Sequence, residues 1–300
     1  MRRLLPLLAL LILCVPAHAQ RFGLSNPDPY TMTNQVVAGV NYNEVYDYSG
    51  RTGPIFPSLV GGEHTTVLVI FGDSLAASTD NAAYVPTNAT KVQDFSLKNG
   101  GIYQAKTPAL SCSDEGVPAS NGYWGHRLGD LLINAGKTQR VIVVCIGIGS
   151  TGTTLWASPT FSYRFGVTWR RLNSLGLLSA NKVFVMSSIG GLDQIQALPS
   201  ATVTANLNSI IAIIRAAGFT TTPVYLALSS WAGGGTGGVN GTNVRAGIVN
   251  AIAGNANVFT GADTDTIGGG ANRYDGNHYT AAGSAAAATL WFNVLSPLFP

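Results

Sequence analysis

Charged residues are scarce in this sequence: Asp, Glu, Lys and Arg make up only 10% of 300 residues, and the formal net charge is +3. Two of the positive charges are Arg2 and Arg3, so the chain beyond them is close to neutral. A protein that binds nucleic acid needs a basic surface to neutralise phosphates. The composition therefore argues against a nucleic-acid partner.

Cysteine is also rare, with three in the chain, of which Cys14 lies in a leader-like segment. The other two are Cys112 and Cys145, and a disulfide between them is one expectation for an oxidising compartment. The alternative is that Cys145 is a small buried apolar residue. No Cys and His residues have the spacing of metal ligands, so neither a metal nor another cofactor is predicted.

Beyond residue 19 the sequence lacks an apolar run long enough to span a membrane. The N-terminus itself has the three parts of a secretory signal peptide: a basic start, an apolar segment from Leu4 to Val15, and the small-residue cleavage site Ala17-His18-Ala19. We therefore expect residues 1–19 to be removed. The mature protein is expected to be exported, secreted or periplasmic, without stable membrane insertion.

Apolar residues are plentiful, at 46% of the chain, which is enough to bury a large core. Short β-branched apolar runs alternate with segments of helical periodicity. The predicted strands are residues 67–71, 141–146, 182–186, 224–228 and 257–259, and the predicted helices are 123–135, 201–217, 239–253 and 280–295. This alternation indicates βαβ units. The predicted fold is α/β, a three-layer α/β/α sandwich with a mostly parallel five-stranded sheet, of flavodoxin-like type.

Two segments lack clear periodicity. Residues 20–65 contain several Pro, Gly and Asn residues and are expected to form an extended arm packed on a single domain of residues 66–300. Residues 76–121 are expected to form a long loop, and loops of this length inside a domain are usually functional. Because this loop directly follows the first strand, it is predicted to wall a site at the strand ends.

Four Gly-rich or polar stretches are expected at that site. They are Gly72-Asp73-Ser74-Leu75, Gly149-Ser150-Thr151-Gly152-Thr153-Thr154, Gly190-Gly191-Leu192-Asp193 and Asp275-Gly276-Asn277-His278. Ligands of open α/β sheets bind at the carboxyl ends of the strands. Serine hydrolysis needs a nucleophile, a base, an acid that orients the base, and backbone N–H groups for an oxyanion. Each stretch taken alone also fits a polar turn or a helix cap.

The order of these stretches resembles that of the SGNH hydrolases, also called GDSL esterases, over residues 66–297. The resemblance implies that Ser74 is the nucleophile, His278 the general base and Asp275 its orienting acid. It also implies that Gly152 supplies an oxyanion N–H beside that of Ser74. The implied reaction is ester hydrolysis through an acyl-enzyme, with no cofactor.

Three further segments are similar to a subgroup related to carbohydrate acetylesterases, namely Asn99-Gly100-Gly101-Ile102-Tyr103, the turn from Gly152 to Trp156, and the helix from Ile210 to Gly218. This similarity implies an acylated, most simply acetylated, carbohydrate as substrate. A lipid or small acyl ester is the next choice. Trp156 is expected either to stack on a sugar ring or an acyl group of the substrate or to pack in the core, and Trp231 is expected on a loop near the site. His18, His64 and His126 are interpreted as structural.

The third stretch departs from the family pattern, because Leu192 stands where an Asn side chain usually donates to the oxyanion. The acetylesterase relatives use a Gln before the Gly, and Ile189 stands there. Neither side chain can donate a hydrogen bond. The sequence thus predicts a slow enzyme, a donor from elsewhere such as Thr154 or Asn81, or an inactive site. The alternatives are an acyltransferase acting on a polysaccharide and a carbohydrate-binding protein on the same fold.

Overall fold

A computed structural model describes residues 35–37, 40–44, 48, 50–54, 64–114, 122–179, 182–233 and 240–300. The predicted signal peptide, residues 1–19, and much of the predicted arm, residues 20–65, lie outside these ranges. The described strands are β1 (Gln35–Val37), β2 (Val40–Glu44), β3 (Thr65–Gly72), β4 (Val92–Phe95), β5 (Ile102–Gln104), β6 (Ser113–Asp114), β7 (Arg140–Cys145), β8 (Lys182–Ser188), β9 (Val224–Leu228) and β10 (Val258–Asp263).

Seven of these strands form one central sheet in the order β10-β9-β8-β3-β7-β4-β5. All neighbours in it are parallel except β4 and β5, which are antiparallel. The strands β1, β2 and β6 form a separate antiparallel sheet. Strand β3 is hydrogen-bonded to β7 on one side and to β8 on the other. It is therefore the central strand of the sheet, and its carboxyl end lies between the ends of its two neighbours.

Helices cover both faces of the central sheet. They are α1 (Trp124–Asn134), α2 (Thr153–Trp156), α3 (Pro159–Ser174), α4 (Gly191–Ile195), α5 (Ser200–Ala216), α6 (Thr242–Ala253) and α7 (Ala281–Leu295). Buried side chains of α3, α5 and α6 share one apolar cluster, and those of α1 and α7 share another. Within the described ranges, none of these helices combines the length and the hydropathy that crossing a membrane requires.

Strand β3 contributes to both clusters. Val67, Val69 and Phe71 point into the cluster of α3, α5 and α6, whereas Leu68 and Ile70 point into that of α1 and α7. Successive side chains of a strand lie on opposite faces, so a strand between two helical layers must be apolar at every position. This requirement explains the unbroken apolar run in the sequence, and the predicted three-layer α/β/α fold is confirmed.

The sheet has seven strands rather than the predicted five, and the two additional strands, β4 and β5, lie within residues 76–121. The prediction that this whole segment is a loop is wrong. Strand β4 escaped recognition because it carries buried polar residues, including Asp94. Arg51 forms an ion pair with Asp94, and His126 Nε2 lies 2.6 Å from its Oδ1. These distant partners allow a polar residue to be buried in a strand.

Cys112 and Cys145 are both buried free thiols. Cys145 Sγ donates to the backbone oxygen of Ala76 at 3.2 Å, and Cys112 Sγ donates to that of Ala109 at 2.9 Å. Burial raises the pKa of the Cys112 thiol well above its ordinary value. This structure therefore agrees with the small buried apolar residue rather than with the disulfide.

Candidate active site

The first part of the site is the turn that follows β3. Gly72 has a φ of +140°, and a Cβ there would lie 1.9 Å from the backbone oxygen of Ser188, so only glycine fits. Asp73 Oδ1 accepts a hydrogen bond from the N–H of Leu75 at 3.0 Å. This cap starts a single 3₁₀ turn, Ser74–Ala76. The chain therefore reverses sharply and presents the partly exposed Ser74 side chain at the carboxyl end of the central strand.

Asp73 also ties this turn to the loop after β8. Its Oδ2 accepts hydrogen bonds from the N–H groups of Gly190 and Gly191, both at 3.2 Å. Burial outweighs these hydrogen bonds and raises the pKa of Asp73 to about 6. The third Gly-rich stretch of the sequence is thus held directly against the first.

The second part of the site is the loop before α7. Asp275 Oδ1 accepts hydrogen bonds from the N–H groups of Asn277 at 2.9 Å and His278 at 2.7 Å. Gly276 lies in this turn with a φ of +89°. The Asp275 side chain is thereby folded back onto the His278 ring, where its Oδ2 lies 2.5 Å from Nδ1.

The two parts meet at a hydrogen bond of 2.8 Å between His278 Nε2 and Ser74 Oγ. The structure therefore brings together the three side chains that the sequence predicts as a triad. Partial burial opposes ionisation of Asp275, but hydrogen bonds from the His278 ring and from two backbone N–H groups outweigh it. They hold the pKa of Asp275 below its ordinary value. An anionic Asp275 keeps the proton on Nδ1, which leaves Nε2 to accept the Ser74 proton.

A buried arginine, Arg273, supports the loop of residues 275–278, which is called the acid–base loop below. Arg273 Nε donates to the backbone oxygen of Ile267 at 2.6 Å, and Nη1 donates to that of Asn277. Its guanidinium also lies 5.3 Å from the ring centre of Trp231. Trp231 Nε1 in turn donates to the Gly276 oxygen at 2.8 Å. Trp231 is therefore hydrogen-bonded to this loop, whereas Trp156 is fully buried in the core. Of the two alternatives for Trp156, packing in the core is the one observed.

The third part is the backbone around Gly152, at the start of α2. Among the described residues, none accepts a hydrogen bond from the N–H of Ser74 or of Gly152. Asp193 accepts three hydrogen bonds from Thr153, two from its N–H at 3.0 and 3.1 Å and one from its hydroxyl at 2.7 Å. The buried Asp193 side chain thus fixes the turn that presents the Gly152 N–H.

The two positions that depart from the family pattern differ in their surroundings. Ile189 is 1% exposed and belongs to the core, so its side chain is directed away from solvent. Leu192 is half-buried in the first turn of α4. Asn81 is exposed, and its N–H donates to the backbone oxygen of Tyr279 at 3.1 Å, next to His278.

Sequence reasoning missed two residues at this site. Asn206 of α5 donates from Nδ2 to the hydroxyls of Thr153 at 3.0 Å and Thr154 at 3.1 Å, beside the Gly152 turn. The sequence pattern of α5 does not distinguish Asn206 from the other polar residues of this helix. Tyr274 stacks on the His278 ring, and its position directly before Asp275 was the available signal.

A buried carboxyl group, Asp80, also lies beside the triad. Ser284 Oγ donates to Asp80 Oδ2, and Asp80 is 2% exposed. Burial raises the pKa of Asp80 to about 7, although the hydrogen bond from Ser284 and the positive charge of Arg127 oppose the shift. The folded state therefore retains a proton that the unfolded chain releases at lower pH.

We expect Asp80→Asn to stabilise the protein at pH 8 but not at pH 4. Since the folded-state pKa of about 7 exceeds the ordinary value of 3.8, this group's contribution to stability falls as the pH rises between these values. At about 1.4 kcal/mol per pKa unit, the gain in unfolding free energy is on the order of 2–4 kcal/mol at pH 8. Thermal and urea unfolding of both proteins from pH 4 to pH 8 measures it.

Asp130→Asn serves as the control with the opposite sign. Hydrogen bonds from Tyr84, Asn88 and Thr87 outweigh partial burial and hold the pKa of Asp130 below its ordinary value. Its ionised form therefore stabilises the fold at neutral pH, a contribution that is lost as the pH falls through the folded-state pKa. Asp130→Asn should lower the melting temperature at pH 8. A pH-independent effect of Asp80→Asn would contradict the proposed titration.

A separate cavity of about 310 Å³ lies away from the triad. Val183 and Pro223 line it at the amino ends of β8 and β9, whereas Ser74 lies at the carboxyl end of β3, which runs parallel to β8. The cavity therefore lies at the amino ends of the parallel strands, whereas the triad lies at their carboxyl ends. The cavity has no part in the chemistry considered below.

Neither a scan against protein-family models nor a search of curated proteins finds a match to this chain. Among solved structures, a protein of Arabidopsis thaliana is similar with a TM-score of 0.57 and 14% identity, covering 79% of this chain and 100% of its own. A carbohydrate esterase of family 3 from Talaromyces cellulolyticus has a TM-score of 0.50 and 13% identity, with coverage of 78% and 97%. A lipolytic G-D-S-L protein from Veillonella parvula has a TM-score of 0.42 and 14% identity, with coverage of 77% and 98%.

At these identities the similarities concern the fold. This chain shares its overall fold with the Arabidopsis protein and with the Talaromyces carbohydrate esterase. These similarities confirm the predicted fold.

Proposed function

We propose that this chain is an exported serine esterase that hydrolyses acetyl or other short acyl esters on a carbohydrate. The observation that carries the proposal is the continuous chain of hydrogen bonds from Asp275 through His278 to Ser74, with distances of 2.5 and 2.8 Å. Such a chain is the arrangement that activates a serine hydroxyl.

In the acylation step, Ser74 Oγ attacks the ester carbonyl carbon while His278 Nε2 takes the hydroxyl proton. The carbonyl oxygen becomes an oxyanion between the N–H groups of Ser74 and Gly152. The tetrahedral intermediate collapses by breaking the bond to the alcohol oxygen, which receives the proton from His278. The products of this step are a free alcohol and an acyl group on Ser74.

In the deacylation step, water attacks the acyl carbonyl and gives one proton to His278 Nε2. The second tetrahedral intermediate breaks its bond to Ser74 Oγ, which recovers that proton, and the carboxylic acid leaves. In both steps the anionic carboxylate of Asp275 stabilises the imidazolium and fixes its orientation. No residue changes its oxidation state, and no cofactor takes part.

The exposure of the triad supports hydrolysis over transfer to a polysaccharide. The side chains of His278 and Asp275 retain 25% and 39% of their accessible surface. Water reaches such a site readily, whereas acyl transfer needs water to be excluded from the acyl-enzyme. Incubation of the enzyme with an acetyl donor and candidate glycans separates the two, since only a transferase acetylates the glycan.

Two arguments support the carbohydrate substrate and the export. The acetylesterase-like segments of the sequence, together with the fold shared with the Talaromyces carbohydrate esterase, favour an acylated carbohydrate. The signal-peptide pattern of residues 1–19 favours export. Acetate release from acetylated oligosaccharides tests the substrate. Sequencing of the mature N-terminus, expected at Gln20, tests the export.

A specific observation favours a second candidate, a carbohydrate-binding protein with an inactive site. Neither Leu192 nor Ile189 supplies the side-chain oxyanion donor of related enzymes, and losing one such donor costs about 10²–10³ in turnover. A fluorophosphonate probe reacts only with an activated serine. Labelling of Ser74 therefore supports the esterase, and its absence together with sugar binding supports the second candidate.

We expect Leu192→Asn to raise kcat up to about tenfold with little change in KM, because an oxyanion donor acts mainly in the transition state. Leu192 is half-buried, so an Asn at this position keeps access to solvent. The matched control is Ile195→Asn, one turn later on α4 and 65% exposed, which should leave kcat unchanged. A folded Leu192→Asn variant with wild-type kcat would show that this position does not face the oxyanion.

A further inference from the structure

Tyr274 is held beside the triad by both its backbone and its side chain. Its N–H donates to the backbone oxygen of His278 at 3.0 Å. Its ring stacks on the His278 imidazole, with centres 5.9 Å apart and planes inclined by 28°. Its hydroxyl donates to the backbone oxygen of Thr79 at 3.3 Å. The ring is thus fixed in position before any substrate arrives.

Despite these contacts, 46% of the Tyr274 surface is exposed. Thr79, which receives the tyrosine hydroxyl bond, donates its own hydroxyl to the Ser74 backbone oxygen at 2.7 Å. Tyr274 therefore connects the acid–base loop with the turn that carries Ser74. The Tyr274 residue therefore remains accessible to solvent beside His278.

The proposed mechanism determines which half of an ester lies near this ring. The carbonyl oxygen must point towards the N–H groups of Ser74 and Gly152. The alcohol oxygen must instead lie within reach of His278 Nε2, because it receives its proton from that atom. The alcohol half of the substrate therefore leaves on the side of the imidazole, where Tyr274 is stacked.

We propose that Tyr274 is a specificity-determining residue that binds the alcohol half of the ester by stacking on a sugar ring. The inference rests on the proposed function and extends it by assigning a binding subsite. A pyranose has apolar C–H faces that suit an aromatic surface, and its hydroxyls remain in water. A rigid tyrosine offers this contact area at low entropic cost, since both ends of the side chain are already fixed.

The test compares two acetyl esters that differ only in the alcohol, methyl 6-O-acetyl-glucopyranoside and methyl acetate. Both give the same acetyl-enzyme, so kcat/KM reports differences in the acylation step alone. Tyr274→Ala should lower kcat/KM about tenfold for the sugar ester, which corresponds to about 1.4 kcal/mol of stacking. The loss for methyl acetate should be clearly smaller, because methyl acetate has no sugar ring to stack on Tyr274.

Two variants complete the design. Tyr274→Phe keeps the ring and should retain the preference for the sugar ester. Phe259→Ala removes another partly exposed aromatic side chain, on β10 and 43% exposed, and should leave both esters unaffected. If Tyr274→Ala lowers kcat/KM equally for both esters, the ring only positions His278. If kcat/KM stays at the wild-type value for both esters, the ring does not contact the substrate. Either result overturns the proposal.

A binding measurement separates this subsite from the esterase activity itself. Saturation-transfer NMR with methyl glucopyranoside, which has no ester to cleave, should detect binding to the wild type and loss of binding in Tyr274→Ala. If neither ester is hydrolysed but the sugar binds through Tyr274, the proposed function fails and the subsite stands. If the sugar shows no Tyr274-dependent binding and the esters show no Tyr274-dependent discrimination, the subsite is refuted.

Discussion

Ser74→Ala should reduce the kcat for p-nitrophenyl acetate by about four orders of magnitude or more, as removal of a triad nucleophile does in serine hydrolases. His278 Nε2 is positioned 2.8 Å from Ser74 Oγ, and no alanine atom can form the covalent acyl-enzyme. The same variant should lose all labelling by a fluorophosphonate probe. The chain's structure should change little, because Ser74 lies at the surface of its turn and Asp73, not Ser74, provides the cap.

The matched control is Ser150→Ala. Ser150 is another exposed serine at the carboxyl end of a strand, in the loop after β7. This variant should retain both probe labelling and most of the ester hydrolysis. Unchanged hydrolysis in Ser74→Ala would refute Ser74 as the nucleophile. If probe labelling were lost only in Ser150→Ala, the nucleophile would be Ser150 instead.

Asp193→Ala should lower kcat by about 10²–10³, the cost of losing one oxyanion donor, while KM changes little. Asp193 receives three hydrogen bonds from Thr153, and these hold the turn that presents the Gly152 N–H. A Cβ on Gly152 would lie 3.0 Å from Asp193 Oδ1, which shows how closely the carboxylate packs under this turn. Without the carboxylate, the N–H of Thr153 and its hydroxyl lose their acceptor and the turn relaxes.

Asp193→Asn is the informative comparison, because it keeps the shape and one acceptor oxygen without the charge. Burial raises the pKa of Asp193 although its hydrogen bonds from Thr153 oppose this, so removing the charge also removes a desolvation cost. The Asn variant should therefore fold well and lose less activity than Asp193→Ala. Steady-state kinetics together with thermal melts would separate catalysis from stability. If a folded Asp193→Ala variant has the wild-type kcat, Asp193 does not hold the Gly152 N–H in place as an oxyanion donor.

The core of the fold could be predicted from sequence because it depends on local patterns. Strand β3 lies between two helical layers, and burial on both faces requires an unbroken apolar run. The same requirement made β7, β8 and β9 recognisable. Short motifs likewise identified the three candidate triad residues. Gly72 and Gly276 mark turns whose backbone angles favour glycine, so these motifs have a local physical cause.

The tertiary structure alone decided what depends on partners far away in the chain. Asp94 can occupy β4 because it forms an ion pair with Arg51 and a hydrogen bond with His126, and no local pattern shows such contacts. Trp156 and Trp231 look alike in the sequence, yet one is buried in the core and the other supports the acid–base loop. The hydrogen bond from Tyr274 to Thr79 and the support of the Gly152 turn by Asp193 connect segments that are far apart in the chain. Burial and hydrogen bonding between distant residues are properties of the folded chain, whereas apolar periodicity and turn chemistry are already local properties of the sequence.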